Sequence, residues 1–295
     1  MAEKKLEGAG LRGQVAGKTS LSTVGKAGKG LTYRGYEIEV LAEKASFEEV
    51  AYMLLYGNLP NQEEYSAYSD KLKKLRSLPN ELKEVLENIP ASAHPMDVMR
   101  TGCSMLGNLE PEGDFENQNT SADRILASMA SIIVYWYKFS HDGIKVNLET
   151  DYETIGGHFL SLLTDKEPSE DDIRCLDTSL ILYAEHGFNA STFATRVTAS
   201  TRADLTGAIV SGIATLKGEL HGGANERAVE LINSFETLED AEKGIKELLE
   251  KKTKIMGFGH GVYKVQDPRS PIVKNWVAKL SNNEASKTRF EIAQK

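Results

Sequence analysis

Residues 45–60 read ASFEEVAYMLLYGNLP. Ser46, followed three positions later by Glu49, is a capping box: the hydroxyl and the carboxylate each satisfy a free backbone N–H of a first helical turn. The run from Phe47 to Tyr56 contains neither Gly nor Pro, Gly57 supplies the stop, and Pro60 prevents the helix from resuming. This stretch predicts a helix, and the same grammar repeats along the chain. Ile125, Leu126, Met129, Ile132, Ile133 and Trp136 recur with the 3.6-residue period of one helical face. Ser169 with Asp172 starts another helix running toward Glu185. Thr237 with Asp240 starts a third, which ends among lysines that suit the negative end of its dipole.

From Asp204 to Lys217, Gly207, Ser211, Gly212 and Ala214 interleave with apolar residues and no face is charged. That pattern predicts a buried helix with close helical neighbours. Toward the N-terminus, residues 1–36 are rich in Gly, Thr and Lys with short β-prone pieces such as Leu31 to Tyr33, and read as an irregular, hairpin-like opening. No internal repeat is present and strands are too few for an alternating βαβ sheet. The expected fold class is mostly α, with a short β-containing N-terminal segment.

A length of 295 residues corresponds to about two domains, and 40% hydrophobic with 26% charged residues is the composition of an ordinary folded chain. Thirty-five basic residues against 43 acidic ones give a net charge of -8. That balance opposes sequence-independent binding to nucleic acid or to anionic lipid, so an anionic small molecule would need a local basic pocket. Cys103 and Cys175 form no CxxC, which excludes a disulfide framework and a cysteine-based zinc ribbon and fits a reducing compartment. The opening MAEKKLEGAG has no apolar leader core and no run approaches a membrane span, so the expected location is the cytoplasm.

Common nucleotide signatures fail on inspection. Gly17-Lys18-Thr19 imitates the end of a phosphate-binding loop, but Arg12 stands where its first glycine is needed. Gly257, Gly259 and Gly261 alternate without the dinucleotide-binding spacing, and neither HExxH nor GxSxG occurs.

Six histidines remain. His94, His141 and His158 have settings that suit structural or surface roles. His186, His221 and His260 lie at breaks in helical pattern, in AEHGFNAST, ELHGGANE and GFGHGVYKVQDPR, where small neighbours let a ligand approach the backbone. An imidazole there can donate a hydrogen bond to a carbonyl oxygen as negative charge develops on it. Arg269, following Pro268, offers a fork matched to a carboxylate. The residues alone leave a second reading open, with His221 and His260 as turn residues and Arg269 as a surface ion-pair partner. A three-histidine zinc site is disfavoured, because no pair has i, i+4 spacing and no acidic ligand is evident; no metal is expected.

Taken in order, EHGFNASTFATRV at His186, HGGANE at His221 and GFGHGVYKVQDPR at His260 resemble the citrate synthase family. So do GLRGQVAGKTSLSTV, LTYRGYEIEVLAEKASFEEVAYMLLYGNLP and SAHPMDVMRTG, so that essentially the whole sequence is covered. HPMDVMRTG, IIVYWYKFSHDG and AEHGFNASTFATRV are most similar to family members that take propionyl-CoA in place of acetyl-CoA. The resemblance implies a two-domain helical homodimer that binds no permanent cofactor, uses an acyl-CoA as co-substrate and condenses it with oxaloacetate. Propionyl-CoA would give 2-methylcitrate, with acetyl-CoA and citrate as the side reaction. The alternatives are a citrate-forming enzyme proper or a non-catalytic homologue that binds CoA or oxaloacetate.

By the same resemblance, His221 would bond the thioester carbonyl and His260 would polarise and protonate the ketone of oxaloacetate. His186 and Arg269 would hold oxaloacetate. Lys254, Ile255, Met256, Gly257 and Phe258 would recognise the adenine of CoA, and Lys264 a CoA phosphate. The expected domains are 1–220, large and helical, and 221–295, small. The family's catalytic aspartate falls beyond Lys295, which carries the expectation that the large domain lacks its last helices, that the small domain is incomplete, and that the sequence is part of a longer, active chain. Gly187 stands where relatives usually carry Glu, and Gly261 where they usually carry Pro.

Overall fold

The computed structural model describes residues 16–25, 30–164, 166–258, 263 and 266–294. It opens with three short antiparallel strands, β1 (Ser22–Val24), β2 (Leu31–Tyr33) and β3 (Tyr36–Glu37), in the order β1-β2-β3. Thr23 faces Thr32 and Thr32 faces Glu37, so the hairpin-like opening carries a third strand beyond the pair suggested by its sequence. Leu31, Thr32 and Tyr33 of the middle strand are all buried, so both faces of that strand are covered.

Helices then follow: α1 (Ile38–Lys44), α2 (Phe47–Tyr56), α3 (Gln62–Lys74), α4 (Asn80–Glu87), α5 (Pro95–Leu109), α6 (Gln118–Asp142), α7 (Ile155–Leu163) and α8 (Glu170–Tyr183). α2 begins and ends where its sequence predicts. Ser46 Oγ accepts from Glu49 N, Glu49 returns the bond to Ser46 N at 2.7 Å, and Gly57 closes the helix at φ 113. The predicted Ser169–Asp172 box opens α8 in the same way, but the helix ends at Tyr183, before Glu185.

α6 is the axis of this region. Its Ala127 and Ala130 join a cluster with Tyr33, Ile38, Leu41, Val50, Met53 and Leu72, while Ile132, Val134 and Trp136 join Leu82, Leu86, Val98 and Leu106. Each fully buried side chain of this size contributes roughly 1.5–3 kcal/mol. Between α2, α3 and α6 the buried carboxylate of Asp123 accepts from Tyr56 (2.5 Å), Tyr68 (3.0 Å) and Lys71 (2.6 Å), so burial leaves no charge uncompensated there.

α9 (Ala190–Ser200) and α10 (Leu205–Leu216) form a close pair. A Cβ on Gly107 of α5 would come within 2.5 Å of Thr206, and one on Gly212 would meet Thr195 of α9. The close neighbours expected for residues 204–217 are present, but the helix is enclosed on one side only. Thr206, Ala208, Gly212 and Ile213 are buried, Leu216 is exposed, and α9 buries no residue.

The chain continues through α11 (Gly223–Asn233), α12 (Leu238–Glu250), α13 (Arg269–Leu280) and α14 (Glu284–Gln294). α14 packs against the other three, and α13 leans on α1 and α8. Polar ties connect these helices to the earlier ones: His94 with Glu226 (3.0 Å) and Lys279 with Asp171 (2.6 Å). The ammonium of Lys279 also lies 5.1 Å from the ring centroid of half-buried Trp276.

Candidate functional site

Three of the six histidines are absorbed by structure. The His94 ring accepts from Met96 N at the start of α5, His141 stacks on Tyr137, and His158 is fully buried between Ser131 and Thr150, each at 3.0 Å. His260 and Lys264 lie outside the described residues.

His186 sits on the short link between α8 and α9. The Tyr33 hydroxyl donates to the carbonyls of Ile181 (3.0 Å) and Leu182 (3.3 Å), supplying a partner for the free carbonyls at the end of α8. It also accepts from Glu185 N at 3.3 Å. Burial, foremost, pushes the Tyr33 phenol well above its ordinary pKa, so it stays a neutral donor. Gly187 follows at φ 67, a conformation that favours glycine. Asn189 Oδ1 then caps α9 by accepting from Thr192 N at 3.0 Å.

The His186 Nε2 and the Tyr263 hydroxyl share a 3.0 Å hydrogen bond, with the rings edge to face. The Tyr263 phenol is pushed up to about 12, by burial first and then by the charge of Asp267. Arg269 lies in the same neighbourhood, since its charge acts on both Tyr33 and Tyr263. Its fork is engaged by the Asp267 carboxylate, Nε to Oδ1 at 3.0 Å and Nη2 to Oδ2 at 2.6 Å. Burial would weaken the Arg269 charge, but the bonds to Asp267 hold the guanidinium above its usual pKa. The fork therefore already grips a carboxylate in the geometry predicted for a carboxylate ligand.

His221 stands at the other end of the same link. Its Nε2 accepts from Ser191 N at 3.3 Å and lies 2.8 Å from Ser191 Oγ, over the first turn of α9. A backbone N–H can only donate, so Nε2 is unprotonated and the neutral ring carries its proton on Nδ1. Burial depresses the His221 pKa, and the positive end of the α9 dipole further opposes a second proton. The outcome is a neutral imidazole with an Nδ1–H donor.

Of the segment expected to meet adenine, Lys254, Gly257 and Phe258 are exposed and Ile255 and Met256 half-buried. Gly257, at φ 85, presses against α11, where a Cβ would come within 2.5 Å of Ala228. The segment thus lies on the helix that begins just after His221. Among the described residues no group of three or more His, Cys, Asp or Glu side chains is arranged to hold a metal ion.

The structure brings His186 together with Tyr263, and His221 together with Ser191. Tyr263, Tyr33 and Ser191 were not legible as site residues, because each acts through a partner distant in sequence, and Glu185 was not because its bond to Gly187 is paired with one to distant Ser22. The available signal was that each lies inside a quoted stretch: Tyr263 in GFGHGVYKVQDPR, Glu185 and Ser191 in AEHGFNAST, and Tyr33 in LTYRGYEIEV.

Residues 10–295 match the family described as citrate synthase, C-terminal domain. A 2-methylcitrate synthase of Shewanella oneidensis is 59% identical over 94% of this chain and 74% of its own length. A citrate/2-methylcitrate synthase of Bacillus subtilis is 35% identical over 100% of this chain and 80% of its own. Among solved structures, the citrate synthase of Thermoplasma acidophilum, in ternary complex with carboxymethyl coenzyme A and oxaloacetate, superposes with a TM-score of 0.89 at 29% identity, covering 97% of this chain and 76% of that one.

Proposed function

The chain belongs to the citrate synthase family, and from that premise we propose that it condenses propionyl-CoA with oxaloacetate and water to 2-methylcitrate and CoA, accepting acetyl-CoA as the poorer substrate. The choice of propionyl-CoA rests on the 59% identity to a relative of that name. The chemistry rests on one observation, the neutral His221 held over α9 with its proton on Nδ1.

A carbon acid α to a thioester ionises poorly in water, so the enzyme must place a donor where enolate charge appears on the carbonyl oxygen. The Nδ1–H of His221 is that donor. Its Nε2 is tied down by Ser191, so the ring needs no reorganisation as charge builds. His260 is assigned by the resemblance to polarise the ketone of oxaloacetate. His186 and Arg269 bind oxaloacetate, whose carboxylate takes over from Asp267 at the Arg269 fork. Lys254–Phe258 and Lys264 receive the nucleotide end of CoA. The nucleophilic enolate attacks the ketone carbon, and hydrolysis of the resulting thioester releases CoA. Removal of the α-proton falls, by the resemblance, to the family's catalytic aspartate.

The proposed domains are 1–220 and 221–295, with closure of the second over the first excluding water during condensation. Among the polar ties between them, the solvent-exposed ones, His94 with Glu226, Lys279 with Asp171 and the 3.4 Å bond from Asn225 to Tyr183, can be broken at little cost, whereas the part-buried His186–Tyr263 and His221–Ser191 bonds belong to the site itself. The proposed assembly is a cytoplasmic homodimer built on α9 and α10. Exposed Val197 and Leu216 support this reading, as does a helix pair of small residues that is enclosed on one side only. No helix among the described residues is long and apolar enough to cross a membrane.

The test is release of free thiol by the full-length protein. With oxaloacetate present, kcat/KM for propionyl-CoA should exceed that for acetyl-CoA by about 10- to 200-fold, the range that one methylene can provide. Release from neither thioester would overturn the enzymatic reading, and a preference for acetyl-CoA would leave a citrate-forming enzyme. Sedimentation at micromolar concentration checks the dimer.

A further inference from the structure

The carboxylate of Glu185 ties together the turn that carries His186 and the first strand. Its Oε1 accepts from Gly187 N at 2.6 Å, across the turn that carries the histidine, and from Ser22 Oγ of β1 at 2.9 Å. Its own backbone N–H is held by Tyr33 of β2. His186 is therefore flanked by two residues whose backbone N–H groups are bonded, one to the sheet and one to Glu185. The next residue, Phe188, packs its ring 3.4 Å from where a Cβ on Gly17 would stand. Without the carboxylate, Gly187 would keep its wide conformational freedom and lose the acceptor that selects φ 67.

We propose that Glu185 is a positioning residue for oxaloacetate binding: by clamping Gly187 and Ser22 it fixes the turn that presents His186, while Tyr263 fixes the ring itself. The inference rests on the assignment of His186 to oxaloacetate made above. Both bonds require an oxygen acceptor and neither requires a negative charge, because the donors are a neutral amide and a neutral hydroxyl. Glutamine at this position can accept both and alanine can accept neither. The clamp acts on one substrate, since acyl-CoA is bound by other segments.

Steady-state thiol release by full-length variants separates the possibilities. Glu185→Ala should raise the KM for oxaloacetate by about tenfold or more and leave the KM for propionyl-CoA within about twofold, because a misplaced binding group is felt by the substrate it binds. Glu185→Gln should restore the oxaloacetate KM to within about threefold of wild type. Ser22→Ala, which removes one donor and keeps the turn, should raise the same KM by about two- to threefold, and it decides the matter if the alanine variant does not fold. An unchanged oxaloacetate KM in Glu185→Ala or Ser22→Ala, equal damage to both substrates, or a glutamine variant as impaired as the alanine one would overturn the proposal. Calorimetry on the wild type keeps the two levels apart: failure to bind oxaloacetate overturns the functional reading and this inference with it, whereas binding that Glu185→Ala does not weaken overturns this inference alone.

Discussion

Residues 30–185 and residues 221–294 are both helical, yet they are held together differently. The first region encloses two continuous apolar clusters joined by α6, and its buried Asp123, His158 and one oxygen of Glu48 hydrogen-bond to partners inside. In the second, the helices bury only Gly223, Ala241 and Ile292 among the described residues, and the ties to the rest of the chain are exposed ion pairs, the part-buried His221–Ser191 and Tyr263–His186 hydrogen bonds and the half-buried Ile272 of α13 against the first cluster. Helicity alone therefore says little about where stability lies. The site draws on both: a rigid sheet and the α8–α9 link hold His186, while His221 and Arg269 come from stretches with few buried anchors, which suits parts that must move around a substrate.

The hardest test of that contrast is a large truncation in the first region. Trp136→Ala, which removes a buried ring and its 3.2 Å bond to Ile89 O, should cost about 3–5 kcal/mol in urea unfolding. Trp276→Ala should cost far less. If the two losses were equal, the contrast would be wrong.

His221→Ala should produce the reverse pattern, with kcat/KM falling by about 10²–10³ through loss of a preorganised donor while the thermal midpoint stays nearly constant. The measurement pairs thiol release with calorimetric melting of the same preparation.

A third test uses two buried titrating groups of the first region that pull in opposite directions. Burial raises the Glu48 carboxyl from 4.5 to about 7. Glu48 accepts from Ile155 N at 2.7 Å, and its contribution is fully present below pH 4.5 and is lost as pH rises through about 7. Burial, aided by the charge of Arg76, lowers His158 from 6.5 to about 4, so its contribution is present above pH 6.5 and is lost as pH falls through about 4. Between pH 5 and 6.5 the two slopes oppose each other, and these two groups together should leave stability nearly level. Glu48→Gln should leave stability rising with pH over that interval and exceed wild type by about 1–3 kcal/mol at pH 8, with the difference vanishing near pH 4.5. Urea titrations at several pH values would detect either failure.

The smallest effect concerns a helix end. Ser46→Ala should cost about 1 kcal/mol, because Glu49 N loses its cap and Glu49 keeps only half of the box. A loss above about 3 kcal/mol would mean that α2 depends on its cap far more than its buried face implies.

These tests also mark what could be read from sequence. α2 was legible to the residue, because Ser46, Glu49, Gly57 and Pro60 act within one helical turn of what they control. The α6 stripe was legible because a period survives in the letters. α9 was not, since ASTFATRVTAS offers only a weak apolar stripe, Ala190, Phe193, Ala194 and Val197, none of it buried, and the close approach of the helix is set by a glycine contact in α10. The histidines of the site could be singled out by their small neighbours, but the partners that set their protonation and orientation could not. Ser191 to His221 and Tyr263 to His186 are pairings made by folding, and no local rule announces them. Asp267, by contrast, is a local partner two residues from Arg269, and the open reading of Arg269 as an ion-pair partner pointed toward it.

The two tryptophans of the sequence fall one to each region. Trp136 is 2% exposed within the apolar interior, whereas Trp276 is half-buried beside the Lys279 ammonium. The chain thus carries a built-in pair of optical reporters, in which the enclosed indole emits at the blue edge and the wetter one at the red edge and is open to quenching by iodide. Illumination at one wavelength then follows the interior and the more exposed helices simultaneously, without attaching a dye.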